Sequence, residues 1–254
     1  MTQQCLVRWI GEVPYEQACQ IQNEIALEIA SSSHPPVLLL LEHPHTYTFG
    51  RRGHEKNLLW DETAVTRRGI TVHWVDRGGD VTYHGPGQLV GYPLLRLMPP
   101  NMHSLEAQHQ DAGHSVDFPK ADYFGYLRRL EKTIILSLAQ FGITSGQIPG
   151  LTGVWVQPYG LSRDLSSSPD LHQRPAKIAA IGVKVDAHGI THHGFALNVN
   201  PDMSYWDGIV SCGLKDFPVV SMAELLDPPP TMEEVRRAVV GSFGEVFSYE
   251  MVEL

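Results

Sequence analysis

Between residues 77 and 88 the chain reads Arg77-Gly-Gly-Asp-Val-Thr-Tyr-His-Gly-Pro-Gly-Gln88, which puts four glycines and a proline into a dozen residues. A helix is excluded, because proline lacks an amide donor and glycine costs a helix about 1 kcal/mol relative to alanine. The segment therefore reads as turn, short strand and turn, with a backbone able to approach a ligand closely and offer it amide groups. A pair of tight hairpin turns without a ligand satisfies the same composition. Two nucleotide-binding devices are ruled out. Gly85-x-Gly87 leads to Pro93 and a strand-like run where a Rossmann fingerprint demands a helix, and Gly-Lys-Ser/Thr occurs nowhere in the chain.

Around this run the periodicities alternate between helix and strand. Ala18, Ile21, Ile25 and Ile29 form one apolar stripe on a helix starting near Pro14. Val37–Glu42 and Thr46–Gly50 read as strands parted by His43-Pro44-His45, and Asp61–Arg68 as a short helix closed by Gly69. Ile70–Val75 is an expected strand with Ile70, Val72 and Trp74 on one face, and Gln88–Leu97 another strand. Leu127, Leu130, Ile134, Leu138 and Phe141 predict a helix over Tyr123–Phe141, stopped by Gly142. Gly153–Gln157 reads as a strand. Lys177–Val185 and Ile190–Val199 then predict a β-hairpin around Asp186-Ala-His-Gly189, and Ser221-Met-Ala-Glu224 and Thr231-Met-Glu-Glu234 predict two capped C-terminal helices. Without a regular strand-helix-strand beat, the fold class is α/β of the mixed (α+β) kind, a mixed β-sheet with packed helices. The length suits one domain over 1–254, with loop insertions at 98–120 and 158–175 where the chain turns polar and rich in Pro or Ser.

Charge and cysteine usage narrow the function. Lys and Arg number 19 against 28 Asp and Glu, a formal charge of −9, which argues against nucleic acid as the main partner. No apolar run reaches the roughly 18 residues of a membrane span, and the N-terminus lacks the basic and apolar regions of a secretory signal. A cytoplasmic protein with no membrane partner is expected. The three cysteines, Cys5, Cys19 and Cys212, are too few and odd in number for a disulfide framework, so they are expected as thiols. Cys5 lies near a fraying end and Cys19 inside the first helix, whereas Cys212 falls on a loop, Val210-Ser-Cys-Gly-Leu214. A lone cysteine can also be inert.

Lys177 is unusual. Alternation puts it on one face with Ala179, Ile181, Val183 and Val185, where an ammonium must bend to solvent, pair, or serve chemistry. Among 13 histidines, neither His43 with His45 nor His192 with His193 has zinc-site companions, so no metal is expected.

Five segments taken together carry a resemblance: Arg77-Gly-Gly-x-x-Thr-Tyr-His84, Gly87-Gln88-Leu-x-x-Tyr92-Pro93, Lys177-Ile-Ala-Ala-Ile-Gly182, His193-Gly-Phe-Ala-Leu-Asn-Val199 and Ser211-Cys-Gly213. In this order they resemble the octanoyltransferase family of lipoate biosynthesis, LipB. The family often has proline where Ser211 stands here. The resemblance implies the fold of the biotin protein ligase and lipoate ligase catalytic domains. It implies octanoyl transfer from acyl carrier protein to a lysine of lipoyl domains in 2-oxoacid dehydrogenase and glycine cleavage proteins, through an acyl-cysteine thioester. By position, Cys212 would be the nucleophile and Lys177 its assistant. Arg77, Gly78, Gly79, Asp80, Val81, Thr82, Tyr83, His84, Ala180, Ile181, Gly182, Gly194, Phe195 and Ala196 would bind substrate, with no cofactor required. Two rivals stay open on the sequence alone. One is an ATP-dependent lipoate or biotin ligase on the same fold; the other is a non-catalytic acyl-binding module.

Overall fold

The computed structural model describes residues 2–31, 34–97, 122–157, 174–213 and 217–254, the side chain of Cys212 excepted. Eleven strands are described: β1 Gln3–Glu12, β2 Val37–Glu42, β3 Thr46–Phe49, β4 Thr71–Trp74, β5 Val81–His84, β6 Gln88–Leu94, β7 Ser145–Ile148, β8 Leu151–Val156, β9 Ala176–Val185, β10 Thr191–Asn198 and β11 Tyr249–Glu253. The helices are α1 Tyr15–Ser31, α2 Glu62–Arg67, α3 Tyr123–Ala139, α4 Met222–Leu225 and α5 Met232–Phe247. Eight strands make one sheet in the order β11-β1-β2-β6-β10-β9-β8-β7, and β4-β3-β5 make a smaller one. The large sheet is parallel across β11-β1-β2 and antiparallel from β2 to β7.

The unbroken apolar run of β2 follows from its place in this sheet. Leu38 and Leu40 face the main core with Leu130 and Ile134 of α3 and Val239 and Phe243 of α5. Leu39 and Leu41 face the other way, where Ala18 of α1 lies, and Val37 meets Ile25 and Ile29 of the same helix. A strand covered on both faces has no polar alternation to keep. Helix ends are fixed locally: Asp61 Oδ1 accepts the Ala64 amide at 2.8 Å, and Gly142 takes φ +75° just beyond α3. Both expected capping boxes form, Ser221 and Thr231 each donating a backbone amide at 2.8 Å to Glu224 and Glu234.

The fold differs from the sequence reading in four places. β1, β7 and β11 were not legible as strands. Cys5 is therefore at no fraying end: it lies fully buried in β1, between β11 and β2, and burial pushes its thiol up to about 12. Ile70 is buried as expected, but Val72 and Trp74 of the edge strand β4 are exposed, and Trp74 stacks on Phe49 with ring centroids 4.5 Å apart. Finally, a bulge in β9 breaks strict alternation: Lys177 pairs with Trp155 while Ala179 pairs with Val154, so β9 advances two residues while β8 advances one. Ala176, Ile178 and Ala179 join the main core, and Lys177 turns away to the Trp155 ring. The expected insertions at 98–120 and 158–175 lie outside the described residues, apart from 174 and 175. No described helix is long and apolar enough to cross a membrane.

Candidate active site

The small residues of the β9–β10 hairpin create a trough. Ala180 stands opposite Ala196 and Gly182 opposite Gly194, so the pleat lacks side chains where the other strand pairs carry them. The turn 76–80 lies over this trough, with the Gly78 amide donating to Val183 O at 3.1 Å. A Cβ on Gly182 would come within 2.9 Å of Gly78 O, and one on Gly194 would run into Gly91 O, so glycine is required at both positions for this close approach. The cleft is partly open to solvent, and its interior space for water-sized groups is about 50 Å³. Of the expected substrate residues, Arg77, Gly78, Gly79, Asp80, Thr82, His84, Ala180, Ile181, Gly182, Gly194, Phe195 and Ala196 line it. Val81 and Tyr83 do not. They sit at the other phase of β5 and pack with Tyr47, Phe49 and Trp206 in a separate cluster, because strand neighbours point to opposite faces. Tyr15, Tyr92 and His193 also line the cleft. His193 and Tyr92 fall within the motif segments, which do not by themselves single them out; Tyr15 opens α1 and carries no local signal.

Arg77 holds the turn. Its buried guanidinium donates to Thr48 O at 2.6 Å, Thr48 Oγ1 at 2.9 Å, Gly78 O at 2.9 Å and Asp80 O at 2.7 Å. Five donors in a planar fork suit a cage of carbonyl and hydroxyl oxygens that no other side chain would fill. At the other end of the turn, Asp80 accepts from its neighbour Val81 N at 2.7 Å and from Asn57 Nδ2 at 2.5 Å.

Asn57 and Asp80 also seat the cysteine. Val210 N donates to Asn57 O at 2.8 Å, and a Cβ on Gly213, at φ +68°, would lie 2.9 Å from Asp80 Oδ2. Cys212 is the middle residue of the 3-10 turn Ser211–Gly213, whose last residue lies against Asp80 of the cleft lining. The chain then returns to the lysine. Lys177 N donates to Pro218 O at 2.8 Å and Val220 N to Lys177 O at 3.0 Å, so a short parallel bridge ties the segment just past Cys212 to the start of β9. Lys177 is 5% exposed, with Nζ 4.6 Å from the Trp155 ring centroid, a distance at which the ring face attracts an ammonium. Gly153, at φ +124°, leaves room for its stem.

The far part of the cleft is polar but internally paired. His43 bonds Val13 O at 2.6 Å and the Tyr92 hydroxyl at 2.7 Å; His84 bonds Gln88 Oε1 at 2.8 Å. Burial lowers His43 to about 4 and holds His84 well below the ordinary histidine range, so both rings are neutral at neutral pH. His193 is also lowered, by burial, and its ring bonds Asp76 at 2.9 Å; that bond, first among several causes, holds the Asp76 carboxyl far below the usual range. Among the described residues no three His, Cys, Asp or Glu side chains converge as a metal site would require.

A trough floored by glycine and alanine, near a cysteine turn and a buried lysine, suits an acyl chain and its transfer, and the comparisons agree. The catalytic-domain family of lipoyl protein ligases A and B matches residues 14–244. The octanoyltransferase of Solibacter usitatus is 41% identical over 248 residues, covering 98% of this chain and 95% of the relative. The chain belongs to the octanoyltransferase family. The octanoyltransferase of Chloroflexus aurantiacus is 39% identical over 96% of this chain and 94% of its own. A bipartite lipoate protein ligase from Thermoplasma acidophilum superposes with a TM-score of 0.68 at 16% identity, over 100% of this chain and 87% of that one. A lipoate-protein ligase A bound with ATP gives 0.64 at 16%, over 100% and 90%. These two share the fold, in agreement with the mixed sheet and packed helices read from the sequence. This octanoyltransferase is accordingly an acyltransferase of lipoate biosynthesis.

Proposed function

We propose that this octanoyltransferase takes its acyl group from octanoyl-acyl carrier protein, holds it on Cys212 and passes it to a lysine of a lipoyl domain, as carried by 2-oxoacid dehydrogenase and glycine cleavage proteins. The observation that supports this reading is the bridge between Lys177 and residues 218–220, a few residues past Cys212, on the strand that also supplies Ala180 and Gly182 to the cleft.

The steps balance without an activating reagent. A free thiol titrates near 8.5, so a nearby ammonium raises the thiolate fraction at neutral pH. The Cys212 thiolate attacks the donor carbonyl carbon, and the carrier thiolate leaves with the proton of the Lys177 ammonium, so that Lys177 becomes a neutral amine. The resulting thioester keeps the reactivity of the first. The acceptor amine then attacks the same carbon, loses a proton to Lys177 acting as base, and expels Cys212 as the thiolate. Thioester is exchanged for thioester and finally for the more stable amide.

Incubation with octanoyl-acyl carrier protein, followed by intact mass measurement, is expected to show one added octanoyl group. The addition is lost in Cys212→Ala and kept in Cys5→Ala and Cys19→Ser. Turnover retained in Cys212→Ala refutes the covalent route, and a requirement for ATP redirects the assignment to a ligase.

A further inference from the structure

The acyl cleft has a direction. Asp80 borders the cysteine turn and marks the reacting end; Asp76, at the start of the same turn, bonds His193 at the opposite end. Along β9, Lys177 and Gly182 are five residues apart, at most about 16 Å at the usual strand rise because the bulge at 177–179 shortens the run, which leaves room for a thioester and an extended eight-carbon chain. Past His193 lies a second cavity, open to the outside, whose lining includes Cys19, Gln22, Trp74, Asp76 and Lys184. Among the described residues His193 alone lines both. One imidazole is the partition between them.

That ring is fixed from three sides. Nε2 bonds Asp76 Oδ1 at 2.9 Å, Nδ1 lies 3.4 Å from the Tyr15 hydroxyl, and the backbone amide donates to Gln22 Oε1 at 2.8 Å. Asp76 is itself gripped by Lys184 Nζ at 2.5 Å. His193 takes φ +57°, the left-handed region that residues with a Cβ rarely enter. Beyond the ring an alkyl chain meets the Asp76 carboxylate, the Lys184 ammonium and the buried Gln22 Nε2, which has no partner among the described residues. Methylenes have nothing to gain there.

We infer that His193 sets the acyl-length limit, its imidazole being the wall on which the terminal methyl of a bound chain ends. The inference rests on the reading that this cleft holds the acyl group. His193→Gly tests it cleanly, because glycine accepts φ +57° without strain and removes only the side chain. The vacated space takes about two methylenes, each worth roughly a fourfold gain in affinity. Free octanoic and decanoic acid are titrated calorimetrically into both proteins, and transfer is measured from octanoyl- and decanoyl-acyl carrier protein. In His193→Gly the decanoate-to-octanoate affinity ratio rises about tenfold, and the transfer ratio moves with it. His193→Asn, whose short side chain also tolerates this backbone, shifts the ratio by about threefold, and it decides the matter if the glycine variant does not fold. A merely structural role lowers both acids together and leaves the ratio alone. A ratio within twofold of wild type in folded variants overturns the wall and leaves the acyltransfer reading intact; so does failure of the wild type to bind either acid, if octanoyl transfer persists. A shifted ratio in a protein that transfers no octanoyl group upholds the wall and overturns the transfer reading.

Discussion

Arg77→Lys keeps the charge and removes the fork. In the native turn the guanidinium serves four oxygen atoms: Thr48 O, Thr48 Oγ1, Gly78 O and Asp80 O. A lysine offers three donors from one nitrogen on a shorter reach and serves about two of these at once. The Gly78 and Asp80 carbonyls are only partly buried and regain water, so they contribute little to the loss. Thr48 is fully buried in β3, and an unsatisfied buried acceptor costs about 1–3 kcal/mol. Arg77→Lys is thus expected to lose about 2–3 kcal/mol in urea denaturation. The effect on catalysis is larger than on binding of small thioesters generally, because the turn shapes the cleft from Gly78 to Asp80. In Arg77→Met the buried cage is left without any donor, and the loss exceeds that of lysine. Stability within about 0.5 kcal/mol of wild type together with unchanged kcat/KM in Arg77→Lys would refute the view that the guanidinium holds the turn.

Lys177→Ala is expected to raise the apparent thiol pKa of Cys212, read as a shifted midpoint of alkylation rate against pH; an unmoved midpoint separates the two side chains in space. Arg51 and Arg52 are exposed and their amides pair with Arg77 O and Gly79 O at 3.0 Å each, which places a basic rim beside the cleft of a chain with net charge −9. The double variant Arg51→Glu with Arg52→Glu is expected to weaken KM for octanoyl-acyl carrier protein at least tenfold while transfer from a small octanoyl thioester stays nearly constant, since screening confines the rim's effect to about 8 Å; equal losses with both donors count against a docking role. Stability is expected to fall as pH drops from about 6.5 to about 4, because the unfolded chain takes up protons there that buried His43, lowered to about 4, refuses. His43 alone accounts for about 3 kcal/mol over that window, His84 and His193 add losses of the same sign, and Asp76, with its lowered carboxyl, adds to them only below about pH 4. A denaturation midpoint constant between pH 7 and 5 would contradict this.

Much of the site is legible in the sequence because its signals are local. Gly182 and Gly194 sit opposite one another in a hairpin readable from its own residues, and the stripe from Ala18 to Ile29 reports one helix face. The unread parts depend on partners far along the chain. β1 takes Tyr249–Glu253 as one neighbour and β2 as the other, so no short window of its sequence shows that Cys5 is enclosed. Tyr15 enters the cleft only because α1 packs over β6 and β10, and the bulge that rotates Lys177 is a mismatch between β8 and β9, invisible in β9 alone. Alternation predicts faces well where pairing is regular and fails at a bulge.

The parallel pairing of β1 with β11 also sets an order of events during synthesis. β1 is made before β11, so Gln3 must wait for Tyr249 to emerge before that edge is closed. Until then the nascent chain carries an open row of amides and carbonyls next to buried Cys5 and Val7, a surface that a second strand from another chain could occupy. The residues that seal the sheet lie more than 240 positions along the chain from those they protect. A frameshift or nick that removes β11 would therefore leave the acyl cleft, built between residues 15 and 196, chemically complete and expose the molecule to self-association instead.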